Sequence, residues 1–328
     1  RVDYDGTASS LLVEPERTNV NTYSEDFGQS FYIKDSGVSV GTTNNVSPSG
    51  ESNATKIDVT DNGRIYANVA SDTYASSVFI KAGTFAYFKF GGNVDLVAGT
   101  FSGGTIESFG NGWFRITKQY TGNRPFQIQA YPDGTYSSHT TDGNYYIWGS
   151  QIEVGSYPTS LIPTSGSTVT RNQDIFTRDG IGSLINSTEG VLFVEMAALS
   201  NDGTNRYLTL TNGSTNERVA LLFSGNTNQI RSIIFSSSQG VNVSLSTFSY
   251  DVLNFNKIAV RFKSGDFALY INGTKVDSST VTGEISSDTL NRLAFDVGND
   301  TLNLFAKVKQ LQVYSTALTD TQLAALTS

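Results

Sequence analysis

An all-β fold is what this 328-residue chain predicts: two antiparallel β-sandwiches of jelly-roll type with one short C-terminal helix. Three observations carry that prediction. Charged residues are 16% of the chain and hydrophobic residues 38%, too little charge for the solvated faces of many helices. The 16 Tyr and 20 Phe sit among abundant Gly, Ser, Thr and Asn, a composition of short strands and tight turns. Apolar residues recur at period two in short runs, which is strand patterning. The length suffices for two buried cores.

The same composition excludes several functions. A formal net charge of −8 with no basic run argues against a nucleic-acid partner. With no cysteine there are neither disulfides nor thiolate metal sites. The longest apolar run, Val191–Leu199, is broken by Glu195 and falls far short of the ~20 residues of a membrane-spanning helix, so no membrane insertion is expected. No signal peptide is visible. The chain begins at Arg1 without an initiator Met, which suggests an excerpt or a processed product.

Taken in order, residues 1–154 read as a first sandwich preceded by a leader, Arg1–Pro15. Strands are expected at Thr55–Thr60, Arg64–Val69, Ser76–Ala82, Phe85–Phe90, Gly112–Tyr120 and Phe126–Tyr131. Ile57 and Val59 share one face, and Trp113 and Arg115 oppose Phe114 and Ile116, so each strand has a core face and a water face. Asp61-Asn62-Gly63 and Gly110-Asn111-Gly112 read as hairpin turns, because Asn and Gly tolerate positive φ. From Tyr145 the aromatic alternation continues to Glu153; then Gly155, Pro158, Pro163 and Gly166 interrupt a Ser/Thr-rich run. Residues 155–182 therefore read as a linker.

The run WGSQIEVGSYPTSLIPTSGSTVTR (148–171) resembles a segment of bacteriophage tail and receptor-binding proteins and of related bacterial surface proteins, where it closes a carbohydrate-binding-module-like sandwich. LLVEPERTNVNTYSEDF (11–27) is similar to the opening of the same module. The resemblance implies a virion tail, extracellular or cell-surface location, other tail proteins as partners, and a homotrimer.

Residues 183–328 read as a second sandwich. Ile258, Val260 and Phe262 share a face opposite Lys257, Arg261 and Lys263; Ser264-Gly265-Asp266 then turns into Phe267–Ile271, followed by Asn272-Gly273. This stretch, with LFAKVKQLQVYSTALTDTQLAAL at the end, resembles laminin-G-like, concanavalin-A-like lectin domains. Two positions depart from that pattern, Ala306 and Lys309. Val308 and Leu311 can share a face only if a bulge falls near Lys309-Gln310. Thr319 and Gln322 form a capping box, and Leu318 and Leu323 a hydrophobic staple, for the terminal helix.

Catalysis finds little support. The lone histidine, His139, lies in a polar loop with Ser137, Ser138 and Asp142, but adjacency in a loop does not orient a triad. No E-x-D-x-x-E run offers paired carboxylates for glycoside hydrolysis. Ile80-Lys81-Ala82-Gly83 and Gln127-Ile128-Gln129 are partial matches to polysaccharide-lyase motifs, without the histidine and in reversed order. Asp296, Asn299 and Asp300 form an oxygen-rich loop suited to a structural Ca²⁺, though the same residues favour solvated turns; no cofactor is required.

A saccharide site needs aromatic platforms and planar polar groups. Tyr131, Asp133, Tyr136 and His139 in one loop, and Tyr66, Tyr74, Tyr87 and Gln129 on one face, are the candidates, although strand aromatics also serve as core or cross-strand pairs. The expected function is non-catalytic recognition of a glycan or surface polysaccharide within a phage tail fibre or adhesin. The alternatives are an accessory region of a secreted polysaccharide-degrading enzyme and a purely structural virion component.

Overall fold

The computed structural model describes residues 2–4 and 9–328. It is all-β with one short C-terminal helix, as composition and period-two patterning predict. Two compact units form, one from Arg1–Pro15 with Gln173–Ser328, the other from Glu16–Asn172. The boundaries differ from the expected 1–154, 155–182 and 183–328. The expected leader supplies an edge strand to the terminal unit, whereas much of the expected linker belongs to the unit inserted at Glu16. Arg1 and residues 5–8 of that leader lie outside the described residues.

The inserted unit stacks two sheets. In one, Thr105–Ser108, Trp113–Gly122, Asp72–Ala82, Gly143–Val154, Arg17–Asn19 and Val169–Arg171 are neighbours in that order, and Ser52–Val59 also pairs with Gly143–Val154. The other runs Thr100–Phe101, Asn93–Asp95, Tyr87–Lys89, Phe126–Tyr131, Arg64–Ala67, Ile33–Lys34. Ile57, Ile65, Val78, Phe88, Phe126, Ile128 and Ile147 fill the space between them. Gly110-Asn111-Gly112 closes a hairpin with φ of 75°, 51° and 79°. Asp61-Asn62-Gly63 does not: Ser52–Val59 and Arg64–Ala67 lie in different sheets, so the turn carries the chain across the sandwich.

The strict alternation expected from Tyr145 onward slips once. Trp148 faces Phe79 and Gln151 faces Ser77, leaving Gly149 and Ser150 opposite one residue. Gly149 adopts φ 61°, a conformation that costs glycine little. The bulge keeps both Ile147 and Ile152 in the core while Trp148, Gln151 and Glu153 face outward.

That outward face meets protein rather than water. Trp113, Trp148, Phe79 and Ala54 cluster there, with Leu161 against them. The 155–171 segment is bound down by buried polar groups. Glu153 accepts from the Thr159 N–H at 2.9 Å and from the Thr159 hydroxyl. Gln151 donates to Glu153 at 2.6 Å and accepts from the Ile162 N–H at 2.5 Å. Asn19 donates to the Ile162 carbonyl at 2.9 Å, and Arg171 to the Ser160 hydroxyl at 2.8 Å. Ser24 and Thr164 exchange bonds of 2.9 Å in each direction. Segments 11–27 and 148–171 thus hold most of both halves of one hydrogen-bonded assembly. Burial pushes the Glu153 carboxyl above its ordinary pKa despite these donors and nearby Arg115.

The terminal unit is a second sandwich. Its seven-stranded sheet runs Val2–Tyr4, Ser9–Val13, Ala306–Tyr314, Glu189–Ala198, Asn256–Lys263, Phe267–Ile271, Thr274–Ser279. Its six-stranded sheet runs Thr177–Arg178, Arg292–Ala294, Arg206–Thr211, Glu217–Phe223, Ile230–Ser236, Val241–Thr247. The Asn256–Lys263 and Phe267–Ile271 hairpin forms as its alternation requires, and Asn272-Gly273, with φ of 47° and 82°, turns the chain into the next strand. The register shift falls at Lys309, between Val308 and Gln310, where the apolar spacing asks for a bulge. Helix Asp320–Thr327 starts at the Thr319–Gln322 capping box, and Leu318 and Leu323 pack with Val191, Phe193, Ala268 and Tyr270 on the outer face of the seven-stranded sheet.

Candidate functional site

Side chains directly opposite each other on paired strands share a face, so register alone assembles a surface on the inserted unit's six-stranded sheet. Three rows cross it. Ile33, Tyr66 and Gln127 form the first; Arg64, Gln129, Lys89 and Asn93 the second; Tyr131, Tyr87 and Asp95 the third. Their strand neighbours Ile65, Phe88, Val94 and Ile128 are fully buried, which turns these rows away from the core.

The loop and face expected from sequence therefore meet on one surface. Tyr66 and Tyr87 are half-buried and lie about 16 Å apart by strand spacing, with Gln129 between them. The Arg124 guanidinium sits 4.2 Å from the Tyr66 ring centre and that of Arg64 5.7 Å away, which fixes the ring by cation–π attraction. Gln129 donates to the Asn62 carbonyl at 2.7 Å, while its Oε1 and the whole Gln127 amide have no partner among the described residues. The Tyr87 ring meets Tyr136 edge-on at 6.2 Å. Aromatic rings beside planar amides with open acceptors and donors are what stacking on a sugar ring and bonding its hydroxyls require.

Four expected site residues build the frame instead of offering contacts. Tyr131 is only 3% exposed, covered by Lys89, Tyr136 and His139. His139 is spent: its Nδ1 accepts from the Thr141 N–H at 3.3 Å, so Nε2 carries the proton and donates to the Ala130 carbonyl at 3.0 Å. Asp133 accepts from the Thr135 N–H at 2.9 Å and its hydroxyl at 2.7 Å, bonds that hold its carboxyl below the usual carboxylate range. Tyr136, at φ 52°, donates its hydroxyl to the Val94 carbonyl at 3.1 Å. Tyr74 belongs to the other sheet and is buried. Arg64, Lys89, Arg124 and Gln127 were missed; neither the strand register that sets Arg64, Lys89 and Gln127 beside Tyr66 nor the loop that lays Arg124 over its ring is readable from one strand at a time.

The expected metal loop is also internally bonded. Asp296 is 2% exposed and its Oδ1 accepts from the Gly298 and Asp300 N–H groups at 2.5 and 3.3 Å. Asp300 pairs with Arg292 at 2.6 Å and Asn299 accepts from Thr301 at 2.6 Å. No cluster of three or more His, Cys, Asp or Glu suited to a metal occurs among the described residues. Among the same residues no helix is long and apolar enough to cross a membrane.

The fold defines an all-β protein of two antiparallel β-sandwiches. Residues 192–324, within the terminal unit, match the family described as the concanavalin A-like lectin/glucanases superfamily. No curated protein matches the chain in sequence. Among solved structures, it is similar to the CBM40 of the Ruminococcus gnavus IT-sialidase bound to α2,3-sialyllactose, at 14% identity over 47% of this chain and 98% of that one, with TM-score 0.37. Domain 4 of AbnA, a GH43 arabinanase from Geobacillus stearothermophilus in complex with arabinotriose, gives 18% identity over 50% and 74%, with TM-score 0.36. Domains LG4-5 of the mouse laminin α1 chain give 8% over 76% and 86%, with TM-score 0.34.

Proposed function

We propose that the chain recognises glycans without transforming them, and that the tyrosine- and glutamine-bearing face of the inserted unit makes the contact. The observation that carries this reading is the row-by-row register that sets Tyr66, Gln127, Gln129 and Tyr87 on one outward surface, with the Gln127 amide and the Gln129 Oε1 without partners among the described residues. The lectin-type match over 192–324 supports a saccharide partner for the molecule as a whole. Two features support a non-catalytic role: both ring nitrogens of the lone His139 are engaged, and the buried Glu153 is enclosed by Gln151 and Thr159.

The resemblance of 11–27 and 148–171 to phage tail and receptor-binding proteins supports placement in a tail fibre or related adhesin, at the virion or cell surface, with polysaccharide and tail proteins as partners. An accessory role beside a polysaccharide-degrading enzyme is the second reading, favoured by a superfamily that spans lectins and glucanases.

A glycan array tests the proposal. The full chain is expected to retain a defined set of glycans, and Tyr66→Ala to lose them while remaining folded. An array with no retained glycan, or a Tyr66→Ala pattern identical to the parent's, contradicts it.

A further inference from the structure

A second surface of the inserted unit has a different character. The Val46–Gly50 turn and the Phe109–Asn111 turn flank a cavity of about 440 Å³ whose floor is Trp113 and Lys81. Its size lies within the range of small-ligand sites, roughly 300–1,000 Å³. Opposed register sets Lys81 directly across from Trp113 and places both on the outward side of their sheet.

The chemistry of the lining is specific. The Trp113 indole N–H donates to the Val46 carbonyl at 3.1 Å, which ties one wall to the floor, and the Trp113 ring itself is buried. Phe109 is 45% exposed although its ring meets Phe79 edge-on at 4.9 Å, so it is fixed and open at once. Val46 is 59% exposed on the facing wall. Lys81 is half-buried and has no hydrogen-bond or ion-pair partner among the described residues, in a chain carrying 30 acidic residues. It is the one charged group of the lining. A fixed apolar ring beside an unpaired ammonium accommodates a ring with C–H faces and a carboxylate substituent.

We infer that this cavity is a second saccharide site, selective for a carboxylate-bearing sugar of the hexuronate type, with Lys81 on the carboxylate and Phe109 against the ring. The inference goes beyond the tyrosine face and stands on separate residues, so the two are separable by mutation.

The test titrates the full chain with trigalacturonate and with its methyl-esterified form, followed by NMR chemical-shift perturbation. Trigalacturonate is expected to bind, and the ester to bind about threefold or more weakly, as loss of one partly exposed ion pair predicts. Lys81→Gln is expected to bring the acid down to the level of the ester, Phe109→Ala to weaken both, and Tyr66→Ala to change neither. Added salt is expected to weaken the acid selectively. Absence of trigalacturonate binding, equal affinity for acid and ester, an inert Lys81→Gln, or loss through Tyr66→Ala overturns the inference. A circular dichroism spectrum matching the parent's accompanies each variant.

Discussion

Gln151 joins two parts of the inserted unit through a single side chain: its Nε2 donates to Glu153 at 2.6 Å while its Oε1 accepts from the Ile162 N–H at 2.5 Å. Both Gln151 and Glu153 are fully buried. A Ser/Thr/Pro-rich stretch with no regular structure is thereby held on the outer face of a sheet.

Removing the carboxamide leaves a buried N–H and a buried carboxylate oxygen each short of a partner. Gln151→Ala is expected to destabilise the inserted unit by about 2–4 kcal/mol. Both tryptophans of the chain, Trp113 and Trp148, lie in this unit, so denaturant unfolding followed by tryptophan fluorescence reports it selectively. An unchanged midpoint contradicts the assignment.

The Gly149 bulge is expected to resist a side chain. A Cβ there would lie 3.0 Å from both Leu161 and Phe79, on a backbone at φ 61°. Gly149→Val is expected to cost about 1–3 kcal/mol in the same fluorescence assay.

Much of the fold was legible because it is local. The alternation of Ile258, Val260 and Phe262, the Thr319–Gln322 capping box and the bulge at Lys309 each follow from spacing within one short segment. What was not legible depends on partners distant in sequence. Nothing around Val13 announces that its strand completes a sheet with Ala306–Val308, and nothing around Thr159 announces Glu153 as its acceptor. The same limit governed the site. Tyr66, Tyr87 and Gln129 were visible as residue types, but burial of Tyr131 and the hydrogen bonds of His139 arise only once the loop folds over the sheet.

The edge strand from the start of the chain is expected to be integral to the terminal unit. Val13 is 2% exposed, and Glu14 and Asp174 exchange bonds of 3.0 and 2.9 Å. Val13→Ala is expected to lower the stability of that unit by about 1–3 kcal/mol, read by calorimetry as a fall in its transition while the inserted unit's fluorescence transition stays put. Equal shifts of both transitions contradict the division at Glu16.

Lys118 predicts an alkaline signature. Its ammonium lies 4.4 Å from the Phe90 ring centre and 5.0 Å from that of Tyr120, and burial pulls its pKa down to about 8. A base with a depressed folded-state pKa favours the folded state more as the proton leaves. The inserted unit is therefore expected to gain stability as pH rises from about 8 towards the unfolded-lysine value near 10.4. Lys118→Met, which keeps the apolar stem, is expected to flatten that rise in a series of denaturation curves.

Asp320 gives a dependence of the same sign at the acid end of the pH range. Arg261, Lys275 and Tyr270 hydrogen-bond its carboxylate and hold its pKa at about 2. Its contribution is present above the ordinary aspartate range and lost as pH falls through about 2. Asp320→Asn is expected to remove this acid-limb dependence of the terminal unit, measured by circular dichroism between pH 4 and pH 2.

The most direct test of glycan recognition is calorimetric titration of one array-selected oligosaccharide into the parent chain, Tyr66→Ala and Tyr87→Ala. Loss of about 1–3 kcal/mol of binding free energy in each variant, with unchanged unfolding curves, is the predicted result. Full affinity in both variants would place the saccharide elsewhere and contradict the account.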